Sequence, residues 1–241
     1  IGRAAALSLS REGAKVAVVS RTAAEIDSLV AEMGGAARGH QGMALDLLPD
    51  GAPASLVKRL GKAGFDAMDI IVHNLGGTLD ITDPFCPIED WRRVWRLNLE
   101  VAVELNGLLL PAMRERKWGR VVMVSSISSM ENHGPVPYCA TKAALTAYAR
   151  SMGRFLAPSG VVMTAVLPGA VLTEKGYWDT ASRENPEHVL KFVADRMPIH
   201  RFGKPEEIGE AIAFLCSEHA SFFVGSVVPI DGGQGRSFFG M

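Results

Sequence analysis

The chemistry in this sequence centres on Tyr138 and Lys142, which stand four residues apart in the stretch Tyr138-Cys-Ala-Thr-Lys142. In a helix, two side chains with that spacing lie on one face, one turn apart. An ammonium beside a phenol favours the phenolate, so we expect the pKa of Tyr138 to fall from about 10 toward neutral pH. Such a phenol can exchange a proton with a substrate hydroxyl or carbonyl. An ordinary helix surface can also carry this pair, so the rest of the chain must decide.

Further polar residues stand at positions where a parallel sheet and its helices could bring them to the same site. Asn98 interrupts an apolar helix predicted over Trp91 to Arg116. It is either hydrogen-bonded within the core or a catalytic group that bends the helix. Ser125 and Ser126 follow the apolar run from Arg120 to Val124. A serine at the carboxyl end of such a strand lies at the ligand-binding edge of a parallel sheet.

Short apolar runs alternate with amphipathic segments along the whole chain. Continuous apolar runs are typical of strands buried on both faces, and helices between them predict βαβ units. We therefore predict one α/β domain over residues 1–241, with a parallel sheet. The predicted strands are Val16 to Ser20, Met43 to Leu45, Asp69 to His73, Arg120 to Val124, Val161 to Leu167 and Ser226 to Ile230.

The first residues, Ile1-Gly2-Arg3, lead directly into an amphipathic helix. A nucleotide-binding parallel sheet usually starts with a strand and a glycine-rich turn that feed this helix. We therefore expect that the strand and the start of the turn are missing from the sequence. Gly2 would then be the last glycine of a phosphate-binding loop at a helix N-terminus.

Arg21 follows the strand predicted from Val16 to Ser20. Counting the missing strand, this is the second strand of a dinucleotide-binding fold, whose end lies at the adenosine ribose. An acidic residue there binds the ribose 2′-hydroxyl, whereas an arginine accommodates a 2′-phosphate. Arg21, with Ser20 beside it, therefore favours NADP over NAD. Asp46 either accepts a hydrogen bond from the adenine amino group or caps the helix that begins near Pro53. The glycines of Asn74-Leu-Gly-Gly77 would let the backbone approach a ligand closely.

Composition excludes several other classes of protein. The net charge of −1 gives no basic field for nucleic acid. No apolar run is long enough to predict a membrane span. The three scattered cysteines favour a reducing cytoplasm, and neither they nor the six histidines have metal-ligand spacing.

An ordered series of motifs resembles the short-chain dehydrogenase/reductase family over nearly the whole chain. The resemblance implies a Rossmann-type, doubly wound parallel sheet with helices on both faces. The matching stretches are Gly2-Arg-Ala, Asp46-Leu47, Asn74-Leu-Gly-Gly77, Asn98, Ser125-Ser126, Tyr138-x-x-x-Lys142, Pro168-Gly169, Arg201-Phe-Gly-x-Pro-Glu-Glu and Asp231-Gly-Gly.

The sequence departs from the family pattern at several positions. The start of the glycine loop is absent, and Leu75 replaces the smaller alanine of the usual Asn-Asn-Ala-Gly. The catalytic serine of the family usually lies thirteen residues before the tyrosine, which here is Ser125. Alignment of the strand points instead to Ser126, which we prefer, with Ser125 as the alternative.

The resemblance also implies a mechanism, in which hydride passes between a nicotinamide and a carbonyl or carbinol carbon. Tyr138 would donate the proton in the reducing direction, and Lys142 would lower its pKa and bind the nicotinamide ribose. Ser126 would bind the substrate oxygen, and Asn98 would anchor a water that links Lys142 to solvent. The implied cofactor is NADP(H) in preference to NAD(H). Its implied contacts are Gly2, Ser20, Arg21, Asp46, Leu47, Asn74, Gly76, Tyr138, Lys142, Pro168, Gly169, Val171 and Thr173.

Substrate identity stays open at this point. Residues 172–198 are too polar for core and predict a mobile lid, in which Tyr177 and Trp178 could stack on a ring or cover an acyl chain. A 3-oxoacyl-thioester reductase and a reductase of a sugar, steroid or small ketone both fit. An epimerase using the same cofactor, or a binding protein without catalysis, is disfavoured.

The resemblance also implies self-association. Two helices, predicted from Trp91 to Arg116 and from Tyr138 to Leu156, carry apolar positions beyond one core face. The corresponding helices of the family form subunit interfaces, so we expect a homotetramer, or a homodimer. Phe238-Phe239 at the end of the chain would join a second interface.

Overall fold

The computed structural model of the protein describes residues 1–131 and 133–237. Nine α-helices and six β-strands are found within these residues. The helices are α1 Gly2–Arg11, α2 Ala23–Glu32, α3 Ala52–Lys62, α4 Ile88–Trp95, α5 Val101–Arg116, α6 Val136–Leu156, α7 Tyr177–Glu184, α8 Pro186–Arg196 and α9 Pro205–Leu215. The strands are β1 Ala17–Ser20, β2 Gln41–Ala44, β3 Ile70–His73, β4 Gly119–Val124, β5 Val161–Pro168 and β6 Val227–Ile230. The interface predicted at Phe238-Phe239 lies outside the described residues.

All the strand pairs in the described chain are parallel. β1 pairs with β2, and the strands β3, β4, β5 and β6 form a second sheet in that order. Parallel neighbours need a long crossover connection, which helices such as α5 and α6 supply. The predicted α/β fold with parallel sheets is therefore confirmed. Because the strands are parallel, their carboxyl ends lie along the same edge of each sheet.

Residues of β1 and β3 line an open cavity between the two sheets. Its wall continues past the carboxyl ends of the two strands, where it includes Arg21 and Asn74. The predicted residues Arg21 and Asn74 therefore stand at the edge formed by these carboxyl ends.

The strands β4 and β5 form the centre of the core, because every residue in both is buried. One face of this pair packs against α5 and α6 through residues such as Met113 and Leu145. The opposite face packs against α1 and α9 through residues such as Leu9 and Ile212. Burying one such side chain contributes about 1.5–3 kcal/mol, so both helix layers are held firmly to the central strands.

The long helix predicted from Trp91 to Arg116 is divided in the structure. It begins earlier, at Ile88, and a π-helical turn over Arg96–Glu100 joins α4 to α5. The turn contains Asn98, whose Nδ2 donates a hydrogen bond to the backbone oxygen of Val94 over 2.9 Å. Single π-helical turns inside α-helices occur frequently at functional sites. Asn98 is therefore hydrogen-bonded within the core and the helix is irregular around it, while its catalytic role stays a prediction.

The segment predicted as a polar lid contains two helices, α7 and α8, which its composition did not indicate. Neither helix has a fully buried residue, so both lie on the surface of the molecule. The side chain of Asn185, between them, accepts a hydrogen bond from the backbone N–H of His188 and caps the start of α8. The two helices follow the carboxyl end of β5 in the chain.

Candidate active site

Lys142 is buried on α6, with 3% of its surface exposed. Its Nζ donates a hydrogen bond to the backbone oxygen of Val124, the last residue of β4, over 2.9 Å. Burial disfavours the charged ammonium and lowers the pKa of Lys142 to about 8. The helix thus holds a lysine of reduced basicity against the carboxyl end of a central strand.

Tyr138 lies one turn before Lys142, and the two side chains are close, as their spacing predicts. Lys142 Nζ is 5.6 Å from the centre of the Tyr138 ring. The expected fall in the pKa of Tyr138 is wrong, however. Burial raises the pKa of this phenol above its usual value, and the nearby Ser126 hydroxyl opposes the rise only in part. Burial has the larger effect on this pKa, so Tyr138 keeps its proton at neutral pH.

The two adjacent serines have different surroundings. Ser125 Oγ is buried and bonds two groups of α6, the backbone oxygen of Lys142 over 3.1 Å and Thr146 Oγ1 over 2.8 Å. Its hydroxyl therefore fastens α6 to the end of β4. Ser126 Oγ accepts a hydrogen bond from the turn that follows it, and its effect on the pKa of Tyr138 places it beside the phenol. Of the two serines, Ser126 is thus the one near Tyr138.

Asn98 ties its π-helical turn to the loop after β3. Its Oδ1 accepts a hydrogen bond from the backbone N–H of Gly77 over 3.0 Å, and its Nδ2 donates to the Gly77 oxygen over 2.8 Å. These two hydrogen bonds hold the backbone of Gly77 against the π-helical turn. The sequence indicated that this glycine-containing loop approaches a ligand, but it did not indicate that Gly77 would be the partner of Asn98.

Gly76 is the position at which these groups converge. A Cβ atom added there would lie 2.7 Å from Asn98 Oδ1 and 2.7 Å from Lys142 Nζ. Side-chain atoms essentially never approach that closely, so the backbone of Gly76 fills the space between the two polar groups. Asn98, Lys142 and the loop after β3 therefore form one packed unit.

We expect the substitution Gly76→Ala to displace Lys142 or Asn98. Overpacking of this kind costs about 1–3 kcal/mol of folding stability. A displacement of about 1 Å in the reactive groups can lower turnover by about a hundredfold. Thermal unfolding and steady-state kinetics on the same preparation measure the two effects.

Gly107→Ala is the matched control for this substitution. Gly107 lies within α5, and no atom would be within 4 Å of an added Cβ there. Alanine is a better helix former than glycine by about 1 kcal/mol, so the control should be neutral or stabilising. Equal effects of the two substitutions would contradict the packing described for Gly76.

Most of the residues predicted to bind a nucleotide line the cavity between β1 and β3. They are Gly2, Ser20, Arg21, Asp46, Leu47, Asn74, Gly76 and Thr173. Pro168 ends β5, and Gly169 and Val171 follow it in the adjoining loop.

Asp46 does not cap the next helix, and that alternative is wrong. Its Oδ1 accepts a hydrogen bond from the backbone N–H of Leu48 over 3.0 Å. The helix α3 begins at Ala52, and Gly51 occupies the capping position. Asp46 is instead exposed and lines the cavity.

Comparison with known proteins shows the family of this chain. A family model described as enoyl-(acyl carrier protein) reductase matches residues 1–234. The chain belongs to the short-chain dehydrogenase/reductase family. It is therefore an oxidoreductase by family.

This short-chain dehydrogenase/reductase is 32% identical over 237 residues to the 3-oxoacyl-acyl-carrier-protein reductase FabG of Aquifex aeolicus, covering 97% of this chain and 92% of the relative. It also resembles L-sorbose reductase from Gluconobacter frateurii, which was solved with NADPH and L-sorbose. That comparison gives a TM-score of 0.87 and 27% identity, and it covers 98% of this chain and 92% of the other. A 7 alpha-hydroxysteroid dehydrogenase solved with NADH and 7-oxo glycochenodeoxycholic acid gives a TM-score of 0.84 and 26% identity, covering 98% and 90%.

The aromatic residues of α7 differ in their availability to a substrate of this short-chain dehydrogenase/reductase. The ring centre of Trp178 is 4.1 Å from that of Phe192 and 4.9 Å from that of Phe202. Trp178 thus packs within the protein and joins α7 to α8 and to the segment before α9. Tyr177 is 69% exposed, so it is the one of the two predicted aromatic residues that remains accessible to a ligand.

Gln234 makes a contact with the loop after β5 that the sequence did not indicate. It follows the Asp231-Gly-Gly turn, and its buried Oε1 accepts a hydrogen bond from the backbone N–H of Ala170 over 2.7 Å. Ala170 belongs to the loop after β5 that was predicted to contact the nicotinamide. A polar residue after a glycine pair is common in surface turns. The sequence alone therefore did not show that Gln234 would be buried against Ala170.

Two further observations concern only residues 1–131 and 133–237. The side chains of His, Cys, Asp and Glu in those ranges form no group of three or more that could hold a metal ion. No helix in them combines the length and apolar character needed to span a bilayer.

Proposed function

We propose that this protein is an NADP(H)-dependent oxidoreductase that interconverts a carbonyl and a secondary alcohol. The observation that carries the proposal is the convergence of Tyr138, Lys142, Ser126 and Asn98 at the carboxyl end of β4 and the loop after β3. A half-buried phenol, a buried ammonium and a neighbouring hydroxyl are groups suited to proton transfer to a carbonyl oxygen.

A dinucleotide fits the residues of this edge. Lys142 Nζ has three N–H groups, and among the described residues Val124 is its hydrogen-bond partner, so it can also donate to ribose hydroxyls. The backbone of Gly76, which tolerates no side chain, lets a ligand approach the lysine closely. From there the cavity continues to Arg21, whose exposed guanidinium suits a 2′-phosphate.

Each of the four residues then has a role. A bound nicotinamide supplies or accepts hydride at the reacting carbon. Tyr138 donates its proton to the substrate oxygen in the reducing direction, and its raised pKa keeps that proton available at neutral pH. Ser126 holds the same oxygen by a hydrogen bond. Lys142 orients the ribose, and the second lone pair of Asn98 Oδ1 anchors a water that leads from Lys142 to solvent.

Arg21→Asp should change the preferred cofactor from NADP(H) to NAD(H). Loss of the cation and repulsion between the new carboxylate and a 2′-phosphate should weaken NADPH binding by about a hundredfold. Dissociation constants of NADPH and NADH, measured by fluorescence, test this.

Arg154→Asp, in the last turn of α6, is the control, because it makes the same charge change away from the cavity. It should leave the ratio of the two dissociation constants unchanged. A wild-type protein that already prefers NADH would show that the role of Arg21 is wrong.

The substrate is either a 3-oxoacyl thioester or a sugar, steroid or small ketone. Similarity to a 3-oxoacyl reductase supports the first, and the sorbose and steroid enzymes support the second. Residues 172–198, with Tyr177 exposed, would form the lid that selects between them. A panel of 3-oxoacyl thioesters and ketones, each with NADPH and NADH, identifies the class by cofactor absorbance. Absence of turnover with every member would count against the proposed function.

Assembly into a homotetramer, or a homodimer, is part of the proposal. Trp95, Val103 and Leu108 are large apolar residues exposed on α4 and α5, where an adjoining subunit would cover them. The three cysteines are free, which suits the cytoplasm as the location. Light scattering in solution measures the assembly state.

A further inference from the structure

The loop after β5 lies unusually close to the turn that begins at Asp231 and carries Gln234. A Cβ atom on Gly169 would be 2.7 Å from Gln234 Oε1 and 2.9 Å from the backbone Cα of Asp231. Backbone cannot move aside as a flexible side chain can, so this contact admits only glycine. The loop that begins at Gly169 is therefore in direct contact with the turn that carries Gln234.

Ala170, the next residue of the loop, is held on both sides. Its N–H donates to Gln234 Oε1 over 2.7 Å, and its oxygen accepts from the backbone N–H of Gly203 over 3.0 Å. The backbone N–H of Leu172 in turn donates to the Gly203 oxygen over 2.9 Å. Backbone holds one side of the loop, but the other side depends on a single side chain.

The turn that carries Gln234 is itself fixed by Asp231. One carboxylate oxygen of Asp231 accepts from the N–H of Gly233 over 3.0 Å, and the other accepts from the N–H of Gly235 over 2.7 Å. These bonds span the position of Gln234 and restrict its backbone. The side chain of Gln234, which is 7% exposed, is thereby aimed at the loop by a rigid support.

We propose that Gln234 is a positioning residue for the nicotinamide end of the cofactor site, an inference that rests on the proposed function. Gln234 touches neither the cofactor nor the substrate. It fixes Ala170, so that Val171 and Thr173 present their backbone and side-chain groups to the nicotinamide in one arrangement. Without its oxygen the N–H of Ala170 has no acceptor, and the loop leaves this arrangement.

The test separates the two ends of the cofactor. Gln234→Met keeps the length of the side chain and removes the acceptor. It should raise the dissociation constant of NADPH about tenfold, since a buried donor loses its partner. Binding of adenosine 2′,5′-bisphosphate, which lacks the nicotinamide, should not change. Hydrogen exchange in a peptide covering residues 168–173, measured without ligand, should become faster.

Two variants control for a general structural effect. Gln234→Glu retains an acceptor oxygen and should restore most of the NADPH affinity. Gln41→Met makes the same change at the amino end of β2, away from the loop, and should leave both ligands unaffected.

The results that would contradict the role of Gln234 differ from the result that would contradict the proposed function. Equal weakening of both ligands, or no weakening of either, in Gln234→Met would overturn the positioning role while leaving the proposed function intact. Unchanged hydrogen exchange in residues 168–173 would overturn it as well. A wild-type protein that binds neither ligand would refute the proposed function, and the role of Gln234 with it.

Discussion

Replacing Tyr138 with phenylalanine is expected to lower kcat for carbonyl reduction by roughly a thousandfold, the scale of general acid catalysis. The variant has no hydroxyl proton to give to the substrate oxygen, and the raised pKa of Tyr138 shows that this proton is present at neutral pH in the wild type. The aromatic ring remains, so the half-buried side chain should still pack and NADPH should still bind. Cofactor absorbance measures kcat, and fluorescence measures NADPH binding in the same preparation.

Tyr148→Phe is the matched control, because it removes a hydroxyl from the same helix. Tyr148 accepts a hydrogen bond from Asn106 Nδ2 over 3.2 Å, so its loss removes one ordinary contact. Such a bond contributes about 1 kcal/mol to folding stability, and kcat should remain close to that of the wild type. If the two variants turn over at similar rates, Tyr138 is not the proton donor.

Lys142→Met is expected to remove most of the activity while making the folded protein more stable. The pKa of Lys142 is lowered by burial to about 8 from 10.5, so the unfolded chain holds this proton more tightly than the folded one. At neutral pH the buried charge therefore costs the folded state up to about 3 kcal/mol. Methionine fills a similar volume without charge. After allowance for the lost bond to Val124, we expect a gain of about 1–2 kcal/mol in the free energy of unfolding.

The gain in the free energy of unfolding of Lys142→Met over the wild type should disappear as pH rises. Below about pH 8 the wild-type lysine is charged in both states, so the difference between variant and wild type is constant. Between about pH 8 and 10.5 the folded wild type loses the proton before the unfolded chain does, so its stability rises relative to the variant and the gain disappears. Urea unfolding at several pH values measures this.

Lys58→Met, on the exposed side of α3, controls for the loss of a lysine as such. It should change the free energy of unfolding by less than about 0.5 kcal/mol at every pH. A Lys142→Met protein that is less stable than the wild type at neutral pH would show that the buried ammonium stabilises the fold, contrary to this account.

The sequence predicted the strands and the edge of the site because their physical causes are local. The segments that form β4 and β5 are apolar at most consecutive positions, a pattern typical of strands covered on both faces. The four-residue spacing of Tyr138 and Lys142 brings the two side chains together in any α-helix. Arg21 stands after β1 at a position that chain order alone assigns to the sheet edge.

The sequence did not predict the features that tertiary contacts determine. The pKa of Tyr138 rises because of the burial around its hydroxyl, and that burial does not follow from the spacing to Lys142. The π-helical turn at Asn98 depends on the loop containing Gly77, which lies distant in the chain. The contact of Gln234 with Ala170 joins residues 64 positions apart. The helices α7 and α8 pack around Trp178, and the polar composition of their segment concealed that.

Transfer of deuterium is the measurement that tests hydride transfer by this protein most directly. NADPH carrying deuterium at the transferable position of nicotinamide C4 would be incubated with the wild-type protein and each carbonyl compound, and the alcohol product analysed by mass spectrometry. We predict one deuterium on the carbinol carbon of at least one product, and no such product from Tyr138→Phe in the same time. Products without deuterium, or equal labelling by the two proteins, would contradict the account.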